Sequence, residues 1–199
     1  MKITLTENLK QKPDFKNLGF GKYFTDHMLY MEYVDGKWGE VEIRPFSDIA
    51  VNPASVVFHY GQEIFEGMKA YKNTDGKITM FRPRDNILRM NRSAKRLCMA
   101  ELPVDEVLEG IFELVRIEKD WIPTDPGTSL YIRPTMIANE NFLGVHPSKK
   151  YIFFVILSPV GSYYAHGLEP TRIYVEDVFN RAALGGTGEC KCGGNYAAS

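Results

Sequence analysis

Ser129-Leu130-Tyr131-Ile132-Arg133-Pro134-Thr135-Met136-Ile137 and Tyr151-Ile152-Phe153-Phe154-Val155-Ile156-Leu157 are the two stretches from which the fold can be read. Both are rich in β-branched and aromatic residues, and the second is nearly unbroken in apolar side chains, the mark of a central strand covered on both faces. In the first, Tyr131 and Arg133 stand two apart, so on a strand they project from one face toward one space. Ahead of these strands the period changes to that of a helix. Ile87, Met90, Ala94 and Leu97, with Pro83 near a first turn, predict an amphipathic helix from Pro83 to about Leu97. Val104, Val107, Leu108, Ile111, Leu114 and Val115 repeat the pattern, with Glu109, Glu113 and Arg116 between them.

Further upstream, Leu29–Tyr33 and Val41–Ile43 flank Asp35-Gly36, a dipeptide whose members accept positive φ, which predicts a tight hairpin. Thr74-Asp75-Gly76 predicts a second one between Phe65–Lys72 and Lys77–Phe81. Residues 1–28, polar and interrupted by Pro13 and several glycines, read as an arm lying on the domain rather than as core. Hairpins, then helices, then strands make an α+β domain with a largely antiparallel sheet and helices packed on one face. Gly161 to Pro170 reads as a linker, and Thr171–Glu176 as the start of something new.

The 199 residues accommodate one full domain and the beginning of a second. Twenty-four Lys and Arg against 25 Asp and Glu leave a net charge of -1, without the positive field of a nucleic-acid binder. Met1 to Asn8 has no apolar core of signal-peptide length, and no stretch approaches the roughly 20 apolar residues that cross a bilayer, so a cytoplasmic protein is expected. Cys98, Cys190 and Cys192 are odd in number and form no CxxC pair, which suits free thiols in a reducing compartment. His27, His59, His146 and His166 form no HExxH, and no metal centre is expected; Cys190 and Cys192 read as small packing residues.

The densest unusual segment is Gly185-Gly186-Thr187-Gly188-Glu189-Cys190-Lys191-Cys192-Gly193-Gly194-Asn195-Tyr196, five glycines around one lysine. It lacks GxxxxGK[ST] and is no phosphate loop of the nucleotide-binding kind. On composition alone it reads equally as a flexible loop or as a constrained site. A constrained, partly desolvated lysine suits Schiff-base formation, because the neutral amine is the nucleophile.

Several blocks together resemble the branched-chain aminotransferases, fold-type-IV pyridoxal-phosphate enzymes. They are Phe24-Thr25-Asp26-His27-Met28, His59-Tyr60-Gly61, Phe65-Glu66-Gly67-Met68-Lys69-Ala70, Arg82-Pro83, Asn86 to Met90, Ser129 to Pro134, Pro159 to Tyr163 and Gly193-Gly194-Asn195-Tyr196. The resemblance implies that Lys191 bonds pyridoxal 5'-phosphate and shuttles a proton at the substrate Cα. It implies that Arg89 grips the cofactor phosphate, that Tyr196 hydrogen-bonds the cofactor's 3′ oxygen, and that Arg181 lies close by. Tyr131 and Arg133 then meet the substrate side chain, Arg133 taking glutamate's distal carboxylate while neighbouring rings take leucine, isoleucine or valine. Phe24, Phe65, Tyr60 and Tyr163 match aromatic positions of that pocket, Tyr60 and Tyr163 resembling residues given across a homodimer interface. Without the resemblance, each of these is as readily core packing or a solvated surface group.

Residues 1–165 are then a small N-terminal domain, and 166–199 a linker and the opening strands of a larger cofactor-binding domain that continues past Ser199. The implied reaction is amino transfer from branched-chain amino acids to 2-oxoglutarate, with the chain alone expected to be inactive. Two alternatives stand beside it. One is a non-catalytic dimerisation or binding module. The other is a different fold-type-IV enzyme, such as a D-amino-acid aminotransferase or aminodeoxychorismate lyase, against which Tyr131-Ile132-Arg133 and the Phe65–Ala70 block speak.

Overall fold

The computed structural model describes residues 1–161 and 169–197. The chain runs through β1 (Lys2–Ile3), β2 (His27–Val34), β3 (Lys37–Trp38), β4 (Glu42–Pro45), a short α1 (Val56–Tyr60), β5 (Glu63–Phe65), β6 (Met68–Lys72) and β7 (Ile78–Met80). It continues through α2 (Pro83–Arg96), α3 (Val104–Ile117), β8 (Ser129–Ala138) and β9 (Tyr151–Val160). The described strands form one sheet in the order β1-β4-β2-β9-β8-β6-β7, with β3 on β2 and β5 on β8. Every pairing is antiparallel except that of β1 with β4. The expected α+β class is the observed one.

The two long strands form the spine. They pair from Ser129↔Val160 to Ala138↔Tyr151 without a break. Leu130, Ile132 and Met136 on β8 and Phe153, Val155 and Leu157 on β9 face one way, into a core completed by α2 (Ile87, Met90, Ala94) and α3 (Val107, Ile111, Leu114). The alternate residues face the other way, onto a sheet surface that no helix of this core covers. Helical period on one side and strand period on the other thus produce one dry layer and one open face.

Both hairpins form, with differences. The Asp35-Gly36 turn has φ of 53° and 82° and is closed by the short β3, while β4 joins β2 further along, its register displaced by one residue. The expected single strand over Phe65–Lys72 is split into β5 and β6, although both keep one register on β8, with Phe65 opposite Thr135 and Met68 opposite Ile132. Between them Glu66 donates its N–H to Pro134 O at 2.8 Å. Proline has no N–H to return the bond, so the ladder is interrupted there.

The arm reading of residues 1–28 needs correction at its end, because Thr25, Asp26, His27 and Met28 are buried. His27 Nε2 accepts the Thr6 N–H at 2.9 Å, so the ring hydrogen sits on Nδ1, which donates to Glu118 Oε1 at 2.6 Å. Burial pushes the Glu118 carboxyl up and the His27 hydrogen bond opposes it. Asp26 accepts from the Lys10 N–H at 2.7 Å and from Trp121 Nε1 at 2.8 Å. The segment before Asp26 is thereby tied to the end of α3 by buried polar pairs that the polar composition concealed.

Beyond β9, the opening strands expected after the linker are not formed among the described residues. Thr171–Glu176 joins no strand, and Ile173, Tyr174 and Val175 are each more than 80 % exposed, since backbone in an extended segment needs a neighbouring edge to satisfy it. Tyr163, His166 and the 165/166 boundary lie outside the described residues. No helix among the described residues is long and apolar enough to cross a membrane.

The buried Asn91 of α2 holds the α2–α3 connection by donating to Leu102 O at 2.9 Å and accepting from Leu102 N at 2.8 Å. Asn91→Ala leaves both main-chain groups buried and unpaired, and urea unfolding should show a loss of about 2–4 kcal/mol. A loss below about 0.5 kcal/mol would mean that water replaces the amide.

Candidate active site

The candidate site stands on the open face of the sheet. Tyr131, Arg133 and Thr135 alternate along β8 with core residues, and β5 brings Phe65 opposite Thr135 with Glu63 two residues before it. Strand periodicity therefore puts all five on one surface. Gly67 adjoins them for a steric reason: a Cβ there would sit 2.2 Å from the Tyr131 hydroxyl.

Arg133 is steered by aromatic neighbours. Its Nη2 donates to the Tyr131 hydroxyl at 2.9 Å, and its guanidinium carbon lies 4.7 Å from the Phe65 ring centroid and 5.2 Å from that of Tyr131. Its buried Nε finds no acceptor among the described residues. The fork is held in place without a carboxylate on it.

Lys191 arrives from the glycine-rich segment and is fixed by its main chain. Its C=O accepts the Phe65 N–H at 3.0 Å, and its N–H donates to Ser93 Oγ of α2 at 3.0 Å. Cys190 and Cys192 on either side are buried in the core as free thiols. The Asn195 amide donates to Thr187 O at 2.7 Å and Cys190 O at 2.9 Å, closing the loop on itself. These contacts decide between the two readings of the segment: it is a constrained site. Lys191 Nζ comes within 3.0 Å of the Tyr196 hydroxyl and 4.5 Å of the Phe65 ring centroid.

A cavity of about 500 Å³ brings together five of the sequence-derived residues: Lys191, Tyr196, Phe65, Tyr131 and Arg133. It adds three that sequence reading missed, Phe20, Glu63 and Thr135. Phe20 meets Tyr131 edge-on at 5.0 Å. Glu63 and Thr135 had a signal available, since each stands two residues from a residue already placed on that face. Burial pushes the Glu63 carboxyl up and the nearby Arg133 charge pulls it down.

The remaining candidates lie elsewhere. Arg181 is exposed, its guanidinium carbon 5.9 Å from the Tyr196 ring centroid. Phe24 stacks on Phe46 at 5.3 Å and does not line this cavity. Tyr60 is 46 % exposed in a separate groove with Leu97 and Val145, its hydroxyl donating to Leu143 O at 2.5 Å. Arg89 spends two of its donors on Glu66, Nε to Oε1 at 2.6 Å and Nη2 to Oε2 at 2.7 Å. Glu66 is fully buried on the core face, also accepts from Asn86 and the Gly67 N–H, and raises the Arg89 pKa through its hydrogen bonds. The Arg89 side chain stays 47 % exposed, and Glu66 engages its Nε and Nη2 but not its Nη1.

No family model matches the chain. Individual proteins do. Branched-chain-amino-acid transaminase 1 of Bacillus subtilis is 53% identical over 192 residues, covering 96% of this chain and 54% of that protein. Branched-chain-amino-acid aminotransferase 2 of the same organism is 50% identical over 200 residues, covering 100% of this chain and 55% of that one. The chain spans about half the length of the curated relatives it matches. A crystal structure of the Escherichia coli branched-chain amino acid aminotransferase shares the fold, with a TM-score of 0.55 over 86% of this chain and 52% of that chain at 23% identity.

Arg89→Ala leaves the Glu66 carboxylate buried without its charge partner, a loss of about 3–5 kcal/mol in unfolding free energy at neutral pH. Arg89→Ala combined with Glu66→Gln should recover a large part of it. If the single variant is as stable as the parent, the pair is not the support described above.

Proposed function

We propose, from its 53% and 50% identity to two branched-chain-amino-acid aminotransferases, that the chain belongs with them and carries the lysine and side-chain-recognition portion of an enzyme transferring amino groups between branched-chain amino acids and 2-oxoglutarate. The observation that carries this reading is the convergence of Lys191 and Tyr196 with Tyr131 and Arg133 on one cavity. One end offers an amine and a phenol, and the other offers rings and a guanidinium.

The donor set fits pyridoxal 5'-phosphate. Lys191 has an immobile main chain and a reachable Nζ, Tyr196 places a phenol beside it, and Arg89 keeps an exposed guanidinium edge for a phosphate. When bound, the cofactor supplies an electrophilic carbonyl carbon and a ring that draws electrons from the substrate Cα. The residues of this chain do the remainder. Lys191 takes the Cα proton and returns it, acting as a positioned general base and acid. The Tyr196 hydroxyl holds a hydrogen bond at the cofactor's ring oxygen and steadies Nζ. Phe65 and Tyr131 offer an apolar wall to a leucine, isoleucine or valine side chain. Arg133, whose Nε has no acceptor, receives the distal carboxylate of glutamate or 2-oxoglutarate, a group too costly to bury unpaired.

We also place Tyr60 in the site of a second copy. Its exposure and its distance from the lining of this cavity support a homodimer in which each chain lends a tyrosine. The free thiols support a cytoplasmic setting.

In the full-length enzyme, pyridoxal phosphate followed by borohydride should leave a stable adduct on the Lys191 peptide, read by mass spectrometry, and Lys191→Ala should abolish both adduct and transamination. Absence of any adduct at Lys191 in the parent protein would favour a binding or dimerisation module instead. Arg133→Gln should slow the glutamate half-reaction about ten- to hundredfold while leaving leucine within a few-fold, because only one substrate uses the cation. Single-turnover absorbance changes separate the two, and equal losses would make Arg133 structural.

A further inference from the structure

We propose, building on the aminotransferase reading, that Glu63 sets the balance between dicarboxylate and branched-chain substrates by serving as the internal counter-ion of Arg133. Glu63 lies on the same strand face as Phe65 and lines the cavity with Arg133 and Lys191. Its carboxylate makes no hydrogen bond or close ion pair among the described residues, unusual for a half-buried acid. The titratable and charged groups facing it across the cavity are Arg133 and Tyr131 from β8 and Lys191 and Tyr196 from the glycine-rich segment.

Two observations confine this carboxylate to the cavity. A Cβ on Gly193 would lie 1.5 Å from Glu63 Oε1, so the acid is packed against the main chain that follows Lys191. On its other side β5 is paired with β8, which fixes its distance from Arg133. Arg133 acts on the acid through its charge, which pulls the Glu63 carboxyl down against burial, and not as a contact partner: its Nε has no acceptor among the described residues and its Nη2 is spent on Tyr131. The fork therefore stays sterically open to an incoming carboxylate, while its field is partly cancelled by a resident anion.

The consequence is selective. A dicarboxylate brings its distal charge to a guanidinium that already has an anionic neighbour, and the two carboxylates repel. A leucine side chain brings no charge and uses the Phe65 and Tyr131 rings alone. Removing the Glu63 charge should strengthen dicarboxylate binding about tenfold, the size of one partly screened interaction between like charges, and leave apolar ligands nearly untouched.

Glu63→Gln keeps the shape against Gly193 and removes the charge. Dissociation constants for glutarate and 4-methylvalerate, measured calorimetrically on the holoenzyme, test the idea without turnover. Glutarate should bind about tenfold tighter to Glu63→Gln and 4-methylvalerate within about twofold of the parent. Glu63→Asp, which keeps an anion, should stay nearer the parent ratio. An unchanged ratio would overturn the proposal, as would an equal shift of both ligands, which would mean that Glu63 acts through Lys191 or through the fold. A parent enzyme with no leucine half-reaction would refute the aminotransferase reading instead, whereas the role of Glu63 stands or falls on the binding ratio.

Discussion

The arrangement of the site depends on the register between the two longest strands. From Ser129↔Val160 to Ala138↔Tyr151 the ladder is continuous, and it decides which half of β8 is core and which half is surface. A slip of one residue would turn Arg133 into the layer under the helices and expose Ile132 and Met136. The apolar even-numbered positions of β8 make that slip prohibitive, and so they hold Tyr131 and Arg133 on the open face as firmly as any direct contact. The same register, transmitted through Phe65↔Thr135, sets the position of β5 and with it the strand edge that receives Lys191.

Helix α2 carries the second constraint. Asn86, Arg89 and Ser93 lie along one polar stripe, spaced at three and four residues. The first two hold Glu66 where Pro134 has broken the ladder, and the third accepts the Lys191 N–H. A buried carboxylate, an interrupted strand and the anchor of the Lys191 main chain are therefore parts of one structure. Glu66 has no need to touch a ligand to matter: without it Arg89 would have no fixed position, and with it the exposed edge of the guanidinium points from a defined place.

Much of this was legible in sequence, for identifiable reasons. The helices and the two long strands were read because their apolar period is unambiguous, and the same-face placement of Tyr131 and Arg133 followed from a period of two. The split at Glu66 was not read, although Pro134 was in view, because the strand partner that needs its missing N–H is set by long-range pairing. His27 and Asp26 were assigned to an arm because they are polar; their burial depends on Glu118 and Trp121, about ninety residues away. Arg89 reads from sequence as a phosphate ligand by resemblance or as a solvated helix residue, since nothing local says that its first partner is an acid in the core. Glu63 is within reach of the alternation rule, two residues before Phe65, but an acid on a strand carries no local sign of lining a cavity.

Phe65 is the ring that the two basic groups of the cavity share. Lys191 Nζ and the Arg133 guanidinium carbon lie at nearly equal distances from its ring centroid, 4.5 and 4.7 Å, and Tyr196 meets it edge-on at 5.1 Å. Both basic groups stand within cation–π reach of this one ring, whose quadrupole attracts each of them. Under the proposed aminotransferase function, the amine would handle the proton and the guanidinium would read the substrate. The ring is also the surface on which an uncharged side chain can rest. On that proposal a substrate with a distal carboxylate would extend to Arg133, whereas a branched apolar one would rest on the ring, and both would present the same Cα to the same lysine. The ring's own place follows from the backbone: Phe65 ends a three-residue strand held to β8 through Phe65↔Thr135, and its N–H donates to Lys191 O at 3.0 Å, so the register of β8 reaches both basic groups through one aromatic side chain.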